Sequence, residues 1–487
     1  MNRGEFYHMK ESRCFMPRTI FGTTERSNFV LNMKQATVRK WINGILCACI
    51  IVPMIGAMFI TGVEKANSFL ASFLYATGFS CILFYIVLLL RKDISIRDYP
   101  VAFVIIAMAI LSLASYYRVV LDGTMGQEAV NTAILGEMGR YEGLLSLLAY
   151  FGIFLLATGV MKRGSVQVVF DVFMGAGIFQ AIVAVLQHIP GEFPSDFRKL
   201  PAILILKDVH LSSGLADSPI FYGSFLTLVS GVAIAGALYE KNLIRARIYG
   251  GAAVLFFLTG LFTSSVVPLI GIGSAIVIAV IIELANKKRE AFPEGILKSP
   301  RKRLLVLIAV YAVIFALVFA LQGIYLRDKA IAYSDSFHRL FIAGSPSLTN
   351  DASLWQIGAE RSLHLISEHP LLGVGPDLMA KVQAWEGMII DSLDKSYNEY
   401  LFVAATRGIP ALLLYLVLLA ATLWQAGKGV REFLDNREMW FRPALLTAIL
   451  AYAVQAFFSA SVVTVAPFFW LLMGFAWSKF LGDKAEP

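Results

Sequence analysis

Charge is scarce in this chain. Asp, Glu, Lys and Arg make up only 16% of its 487 residues, where a soluble domain carries about 25%. That scarcity argues against a disordered chain and against an ordinary cytosolic enzyme. Cysteine is scarce too. Cys14, Cys47, Cys49 and Cys81 lie in the first, polar stretch or inside apolar runs, so no extracytoplasmic disulfide framework is implied. Cys47 and Cys49 read as packing residues rather than metal ligands. A P-loop, a Rossmann glycine pattern and a metal-binding cluster are all missing from the sequence, which argues against nucleotide-driven chemistry and implies neither metal nor cofactor.

Apolar residues are abundant, at 57% of the chain. A bilayer core needs about 20 of them per helix. Twelve segments qualify as candidate spans: 42–62, 69–90, 100–117, 141–161, 166–188, 221–239, 247–264, 266–284, 304–323, 408–426, 442–463 and 465–482. The expected fold is an all-α polytopic membrane protein with one large structured extracytoplasmic loop. Its parts are a basic cytoplasmic tail (1–41), a transmembrane bundle (42–323), the loop with short helices (324–398), a second set of spans (399–482) and a short cytoplasmic tail (483–487). The tail 1–41 precedes a long apolar span without a small-residue cleavage site, so it does not read as a cleaved signal peptide. Met33 is a second candidate start.

Twelve spans place both termini on one side. Roughly two thirds of the Lys and Arg fall there, which makes that side cytoplasmic. The formal charge of +8 is therefore the balance of a positive inner face and a negative outer face. It implies lipid contact and topology, not nucleic acid.

The cytoplasmic connections are short. The long ones, 118–140, 189–220 and 324–398, face outward, and loops of that length are usually functional. Within the last, 353–368 predicts a short helix. Leu354, Ile357, Arg361 and Leu365 share one face, with Trp355 beside it. Arg361 either packs its stem and lets its head reach water, or binds an anion. Pro370 ends the helix. His369-Pro370-Leu371-Leu372-Gly373-Val374-Gly375-Pro376-Asp377 follows. Gly373 and Gly375 permit positive φ, and Asp377 suits the N-cap of a helix reaching to about Gln383. Such a glycine turn either presents N–H groups to a phosphate or merely reverses the chain.

The loop closes on Lys395-Ser396-Tyr397-Asn398-Glu399-Tyr400-Leu401, then Arg407-Gly408. Asn398 and Glu399 are suited to orient a sugar hydroxyl or take its proton, Glu399 being the more capable base. The alternative is an interfacial belt in which Glu399 pairs with Arg407 two turns on. Earlier, Gly139-Arg140-Tyr141-Glu142-Gly143 opens the fourth span. Arg140 there is a phosphate ligand or the partner of Glu142. The loop 189–220 adds Arg198, Lys199, Lys207 and His210. Asp171, inside the fifth span, is expected to pair with Lys162 or Arg163 at the interface.

Taken together these elements resemble the O-antigen ligase / Wzy polymerase family of bacterial membrane glycosyltransferases. The resemblance rests on Trp355 through Asp377, on Asn398-Glu399-Tyr400-Leu401, on Arg140-Tyr141-Glu142-Gly143-Leu144 in a form associated with Gram-positive members, and on Thr263-Ser264-Ser265. Tyr397 stands where the family commonly has His, Asp351 where it has Arg, Val266 stands near the family's second Arg position, and Ala411 stands where it has its last Gly. The resemblance implies a GT-C-like bundle in the plasma (inner) membrane with its active face outside. The donor would be a glycan on undecaprenyl diphosphate. An acceptor sugar hydroxyl attacks it and polyprenyl diphosphate leaves, without a metal, in teichuronic-acid-, capsule-, exopolysaccharide- or O-antigen-type biosynthesis. A flippase and chain-length regulators would be the partners. Glu399, Asn398 and Tyr397 would face the acceptor, with His338 or His369 as substitute base. Arg140, Arg361, Arg198 and Arg407, with Gly373 and Gly375, would hold diphosphate and glycan. A transporter or flippase of lipid-linked sugars or other solutes explains twelve helices equally well, but the halves show no internal repeat of the kind many transporters have.

Overall fold

The computed structural model describes residues 35–60, 63–95, 100–123, 125–137, 140–159, 163–188, 212–216, 218–286, 299–318, 320, 351–382, 394–436 and 439–478. Regular structure among them is helical. The chain forms α1 (Gln35–Phe59), α2 (Val63–Leu90), α3 (Val101–Asp122), the short α4 (Gly126–Leu135), α5 (Leu144–Thr158), α6 (Arg163–His188), α7 (Pro219–Tyr239), α8 (Leu243–Phe262) and α9 (Val267–Ala285). The helical stretch 300–318 is α10. Then come α11 (Asp351–Glu368), α12 (Glu399–Arg407), α13 (Ile409–Asn436), α14 (Phe441–Gln455) with a 3-10 turn over Ala456–Phe458, and α15 (Ala466–Trp477).

In its described residues, each of the twelve apolar segments overlaps one of these helices. Among the described residues, eight helices are long and apolar enough to cross a membrane: α2, α3, α6, α7, α8, α9, α13, and α14 with its 3-10 turn. The apolar part of α1, and all of α5 and α15, are shorter. The 15 residues of α5 rise only about 22 Å, short of a hydrocarbon core of about 30 Å.

Local sequence sets the helix ends. Ser218 accepts the N–H of Ile220 ahead of Pro219, the first residue of α7, and Asn242 accepts the N–H groups of Ile244 and Arg245 at the start of α8. The apolar, uniformly sided α7 is buried along its length, as such a helix must be. It is wrapped by α8, α9 and α14. Gly231 allows the approach of α14, since a Cβ there would lie 2.6 Å from the Cα of Ala448. On the outside, Leu83, Phe103, Ile110, Leu121, Leu284, Leu413 and Trp424 are all exposed. An aqueous surface rarely carries so much apolar area. A bilayer accepts it.

The side chains of Lys162 and Arg163, the partners expected for Asp171, lie outside the described residues; other groups also meet this carboxylate. It accepts hydrogen bonds from Gln167 and from the Tyr249 hydroxyl, both at 2.9 Å, and lies 3.3 Å from Arg245 of α8. Arg245 and Tyr249 reach it because α6 packs along α8. The helix expected at 353–368 is present as α11. It docks on α12 and on the 3-10 turn, where the Trp355 indole donates to the Phe457 carbonyl at 2.5 Å. The rest of the expected loop, 324–350 and 383–393, lies outside the described residues, as do His338, Arg198, Lys199, Lys207, His210 and Cys14.

Candidate active site

The site is built where two sequence elements zip together. Asn398 caps α12, its side-chain oxygen accepting the N–H groups of Tyr400 and Leu401 at 3.1 Å each. That carbonyl-type oxygen is thus committed to the helix rather than to a ligand. At the other end of α12 the segment 370–375 lies against the chain. Val374 N–H donates to Ala405 O (2.9 Å), Gly375 N–H to Thr406 O (3.0 Å) and Ile409 N–H to Pro370 O (2.8 Å). Gly373 has φ +65° and Gly408 φ +89°. A Cβ on Gly373 would run into the Thr406–Arg407 backbone, and one on Gly408 into the Leu371 carbonyl. The glycines therefore serve close backbone approach. The N–H groups of 373, 374 and 375 all donate within the protein, so the phosphate-cradle reading of this turn is not supported.

Asp377 also departs from expectation. It begins no helix: the residues after it form turns, and its own φ is +56°. Its carboxylate is buried and lies 2.5 Å from the Lys395 ammonium, which is buried as well and sits 4.3 Å from the centre of the Phe402 ring. The other carboxylate oxygen accepts the N–H of Glu137 at 2.8 Å and of Glu142 at 3.1 Å. One ion pair thus joins the His-Pro segment, the end of the large loop and the turn ahead of α5.

That turn sends two charged side chains opposite ways. Arg140 pairs with Asp394 at 2.9 Å and stacks over Phe221, 4.6 Å from the ring centre. Glu142 turns inward, accepting the Tyr150 hydroxyl at 2.5 Å and the Ser461 hydroxyl at 3.2 Å. The Arg140–Glu142 surface pair considered from sequence is not formed. Likewise Glu399 is not bonded to Arg407. Its two oxygens accept the hydroxyls of Tyr415 (2.6 Å) and Tyr452 (2.9 Å). Burial holds the Glu399 carboxyl above the usual carboxylate range, against the opposing pull of the two phenols and of Arg407.

Glu142, Asp377, Glu399, Arg407, Tyr415 and Ser461 all line one cavity, with about 440 Å³ of empty space and Trp470 in its apolar wall. Arg407 is 7% exposed. Its guanidinium makes no hydrogen bond to the described residues, while the carboxyls of Glu142, Glu399 and Asp377 all bear on it electrostatically. A buried guanidinium with unspent donors, facing a cavity, is equipped to take an anion.

Other expected residues lie off this cavity. Arg361 is buried and donates to the carbonyls of Met379 (2.7 Å) and Val382 (3.0 Å), tying α11 to the turn after Asp377. His369 Nδ1 lies 3.3 Å from Arg118, and burial followed by the Arg118 charge pushes its pKa down. Tyr397 takes φ +49° and packs against the main core, just ahead of the cap. Thr263 and Ser265 bond within their own turn between α8 and α9. Sequence reasoning missed Lys395, Tyr150, Tyr415, Tyr452 and Ser461. Lys395 opens the Asn-Glu element, so a charged residue inside a motif was the available signal. Tyr452 and Ser461 come from elements distant in sequence, and Tyr150 and Tyr415, though 8 and 16 residues from their carboxylates, sit inside apolar runs; none carried a signal.

Residues 251–416 match the sequence model of the O-antigen ligase family. Over this stretch the chain is similar to the O-antigen ligase family. The matched O-antigen ligase stretch runs from α8 into α13 and supplies Asp377, Lys395, Glu399, Arg407 and Tyr415. Glu142, Tyr150, Tyr452 and Ser461 come from outside it, so the cavity is completed by helices on both flanks. No curated protein matches the chain. The similarity over this stretch and the apolar helices together support a membrane-integral protein.

Proposed function

We propose that this protein polymerises or ligates oligosaccharide units carried on undecaprenyl diphosphate at the outer leaflet of the plasma membrane. An acceptor sugar hydroxyl attacks the anomeric carbon of the donor. The new bond joins that carbon to the acceptor oxygen, and the bond from the carbon to the diphosphate oxygen breaks. The hydroxyl proton passes to Glu399, whose burial favours the protonated product. Polyprenyl diphosphate leaves with the bond's electrons, and Arg407 stabilises its growing charge in a site that excludes most water. Tyr415 and Tyr452 fix the Glu399 carboxylate. Glu142, held by Tyr150 and Ser461, positions the sugar. Arg140, paired with Asp394, lies off the cavity lining and is assigned to holding the turn ahead of α5. Arg361, bound to main-chain carbonyls, is assigned to holding the loop.

The observation that carries this reading is Arg407, buried in the cavity beside Glu399 with no hydrogen bond among the described residues. The test is transfer by purified protein in proteoliposomes given lipid-linked oligosaccharide on the outer side alone. Arg407→Gln should cut the rate by about 100-fold or more, the scale seen when one donor to a developing oxyanion is removed. Transfer at the wild-type rate would sink the assignment. Movement of the lipid across the bilayer without glycan lengthening would instead identify a carrier.

A further inference from the structure

At the opposite end of α7 from the cavity, a second feature stands apart from the transfer site. The 21 residues of α7 separate the two ends by about 30 Å. There α8 and α10 begin side by side. Higher up they are joined firmly, with Tyr311 stacked on Phe257 at 4.3 Å and its hydroxyl donating to the Ala253 carbonyl at 2.9 Å. Toward their N-terminal ends they part, leaving a groove of about 580 Å³ of empty space floored by Ala237, Ala246, Gly250, Val254, Leu307 and Val310. Its walls are almost wholly apolar. Its two charged lining residues are Arg247 and Arg303.

The arginines differ. Arg303 donates to the carbonyls of Ala237 (3.1 Å), Leu238 (3.3 Å) and Glu240 (3.3 Å), so it closes the C-terminal end of α7 while its face remains in the groove. Arg247 is exposed and makes no hydrogen bond to the described residues. Lys241 and Lys302 add two exposed ammonium groups nearby in sequence. Of the local acids, Glu283 pairs with Arg301 at 3.7 Å and Asp171 with Arg245 at 3.3 Å; Glu240 accepts the N–H of Asn242 at 2.9 Å and its charge also bears on Arg303, which leaves Arg247 as the uncompensated cation of the groove. Leu243, Ile244, Ile248, Leu305 and Val306 are exposed around the groove, as lipid-facing residues would be.

We propose that this groove binds one anionic phospholipid, its phosphate on Arg247 and Arg303 and an acyl chain along the apolar floor. An apolar channel open to the bilayer, with cationic groups at its end, has the polarity profile of that ligand and of neither a soluble anion nor a zwitterionic lipid. On the expected topology this is the cytoplasmic leaflet, where anionic lipids attract basic juxtamembrane groups. The inference does not rest on the glycosyl-transfer reading.

The test is lipid retention by the full-length protein, measured by native mass spectrometry after delipidation and incubation with phosphatidylglycerol or phosphatidylcholine. Wild type should retain phosphatidylglycerol and lose phosphatidylcholine. Arg247→Gln removes an exposed head and leaves the fold intact; it should weaken retention about fivefold, the worth of one basic group at a membrane surface. Gly250→Leu fills the groove, since a Cβ there meets only Ala237 at 3.8 Å, and should lower retention with both arginines present. Equal retention of the two lipids overturns the proposal. So does Arg247→Gln binding like wild type. Loss in Arg247→Gln but not in Gly250→Leu overturns it too, because the acyl chain would then lie elsewhere.

Discussion

The Asp377–Lys395 pair offers the sharpest test of how the site is held together. Both side chains are fully buried and 2.5 Å apart. Removing one member of such a pair strands the other charge and costs about 3–5 kcal/mol. The two truncations should not be equal. Lys395→Met leaves a carboxylate that still accepts two main-chain N–H bonds, from Glu137 and Glu142, so its cost lies near the lower end, about 3 kcal/mol. Asp377→Ala strands an ammonium left with the Phe402 face and the charge of Glu142, to which it makes no hydrogen bond. It also orphans both amides, each worth about 1–3 kcal/mol when buried without an acceptor, so it belongs at or above about 5 kcal/mol. The double variant Asp377→Ala/Lys395→Met removes both charges and keeps only the orphaned amides. It should be more stable than Asp377→Ala alone. Thermal unfolding in nanodiscs, followed by tryptophan fluorescence and by retained monodispersity, gives the rank order without requiring reversibility. The reasoning fails if Lys395→Met is the worse single variant, or if the double variant loses the sum of the two.

Two further outcomes follow from the same geometry. Gly408→Ala forces a non-glycine residue to φ +89° against the Leu371 carbonyl; strain alone costs about 1–3 kcal/mol, so folded yield and transfer should both fall, while Gly427→Ala, with open space around it in α13, should be neutral or stabilising by up to about 1 kcal/mol. For Glu399, transfer rate should rise with pH through a value above the usual carboxylate range, and Glu399→Gln should be slow with that limb absent; Tyr415→Phe, by removing a bond that lowers this pKa, should move the limb to higher pH. Because folding raises the Glu399 pKa, its favourable contribution to stability is present below the unfolded value of about 4.3 and is lost as pH rises through the folded value. Unfolding midpoints across that window should drop for wild type relative to Glu399→Gln.

Much of the fold could be read from the sequence, because apolar runs of bilayer length have few other uses. Among the described residues, each of the twelve segments overlaps a helix. Among the described residues eight helices are long and apolar enough to span alone, while α5 and α15 are shorter. The Asn-Glu element and Arg407 were also legible, being charged groups beside an apolar run. What misled was local inference about partners. Arg140 with Glu142 and Glu399 with Arg407 are pairings by sequence distance. In both cases other groups meet the carboxylate instead: Tyr150 and Ser461 for Glu142, Tyr415 and Tyr452 for Glu399. A one-dimensional spacing rule holds along an exposed helix face. It fails inside a bundle, where the nearest polar group belongs to whichever helix packs opposite. The glycines of the His-Pro element misled for a related reason. Their freedom was visible, but the backbone they approach, at 405–408, lies some thirty residues on.

The charge balance of the cavity limits how a diphosphate could enter it. Asp377 and Lys395 neutralise one another at 2.5 Å. That leaves the Glu142 and Glu399 carboxyls around a single guanidinium, Arg407. If both carboxyls were ionised, the cavity would carry an excess negative charge before any ligand arrived, and an incoming diphosphate would be repelled. Two carboxyls sharing one buried site resist joint ionisation, and a third anion strengthens that resistance. Donor binding therefore favours a proton on one of them, and the tyrosine bonds decide which stays ionised. Glu399 has two phenols directed at it, whereas Glu142 has one phenol and a longer bond from Ser461. Glu399 is thus the carboxylate better kept charged and able to accept the acceptor's proton. Glu142, protonated when the donor is bound, is then a hydrogen-bond donor to sugar or phosphate oxygen. On this account Glu142→Gln keeps most of the transfer rate, because an amide also donates, whereas Glu399→Gln does not.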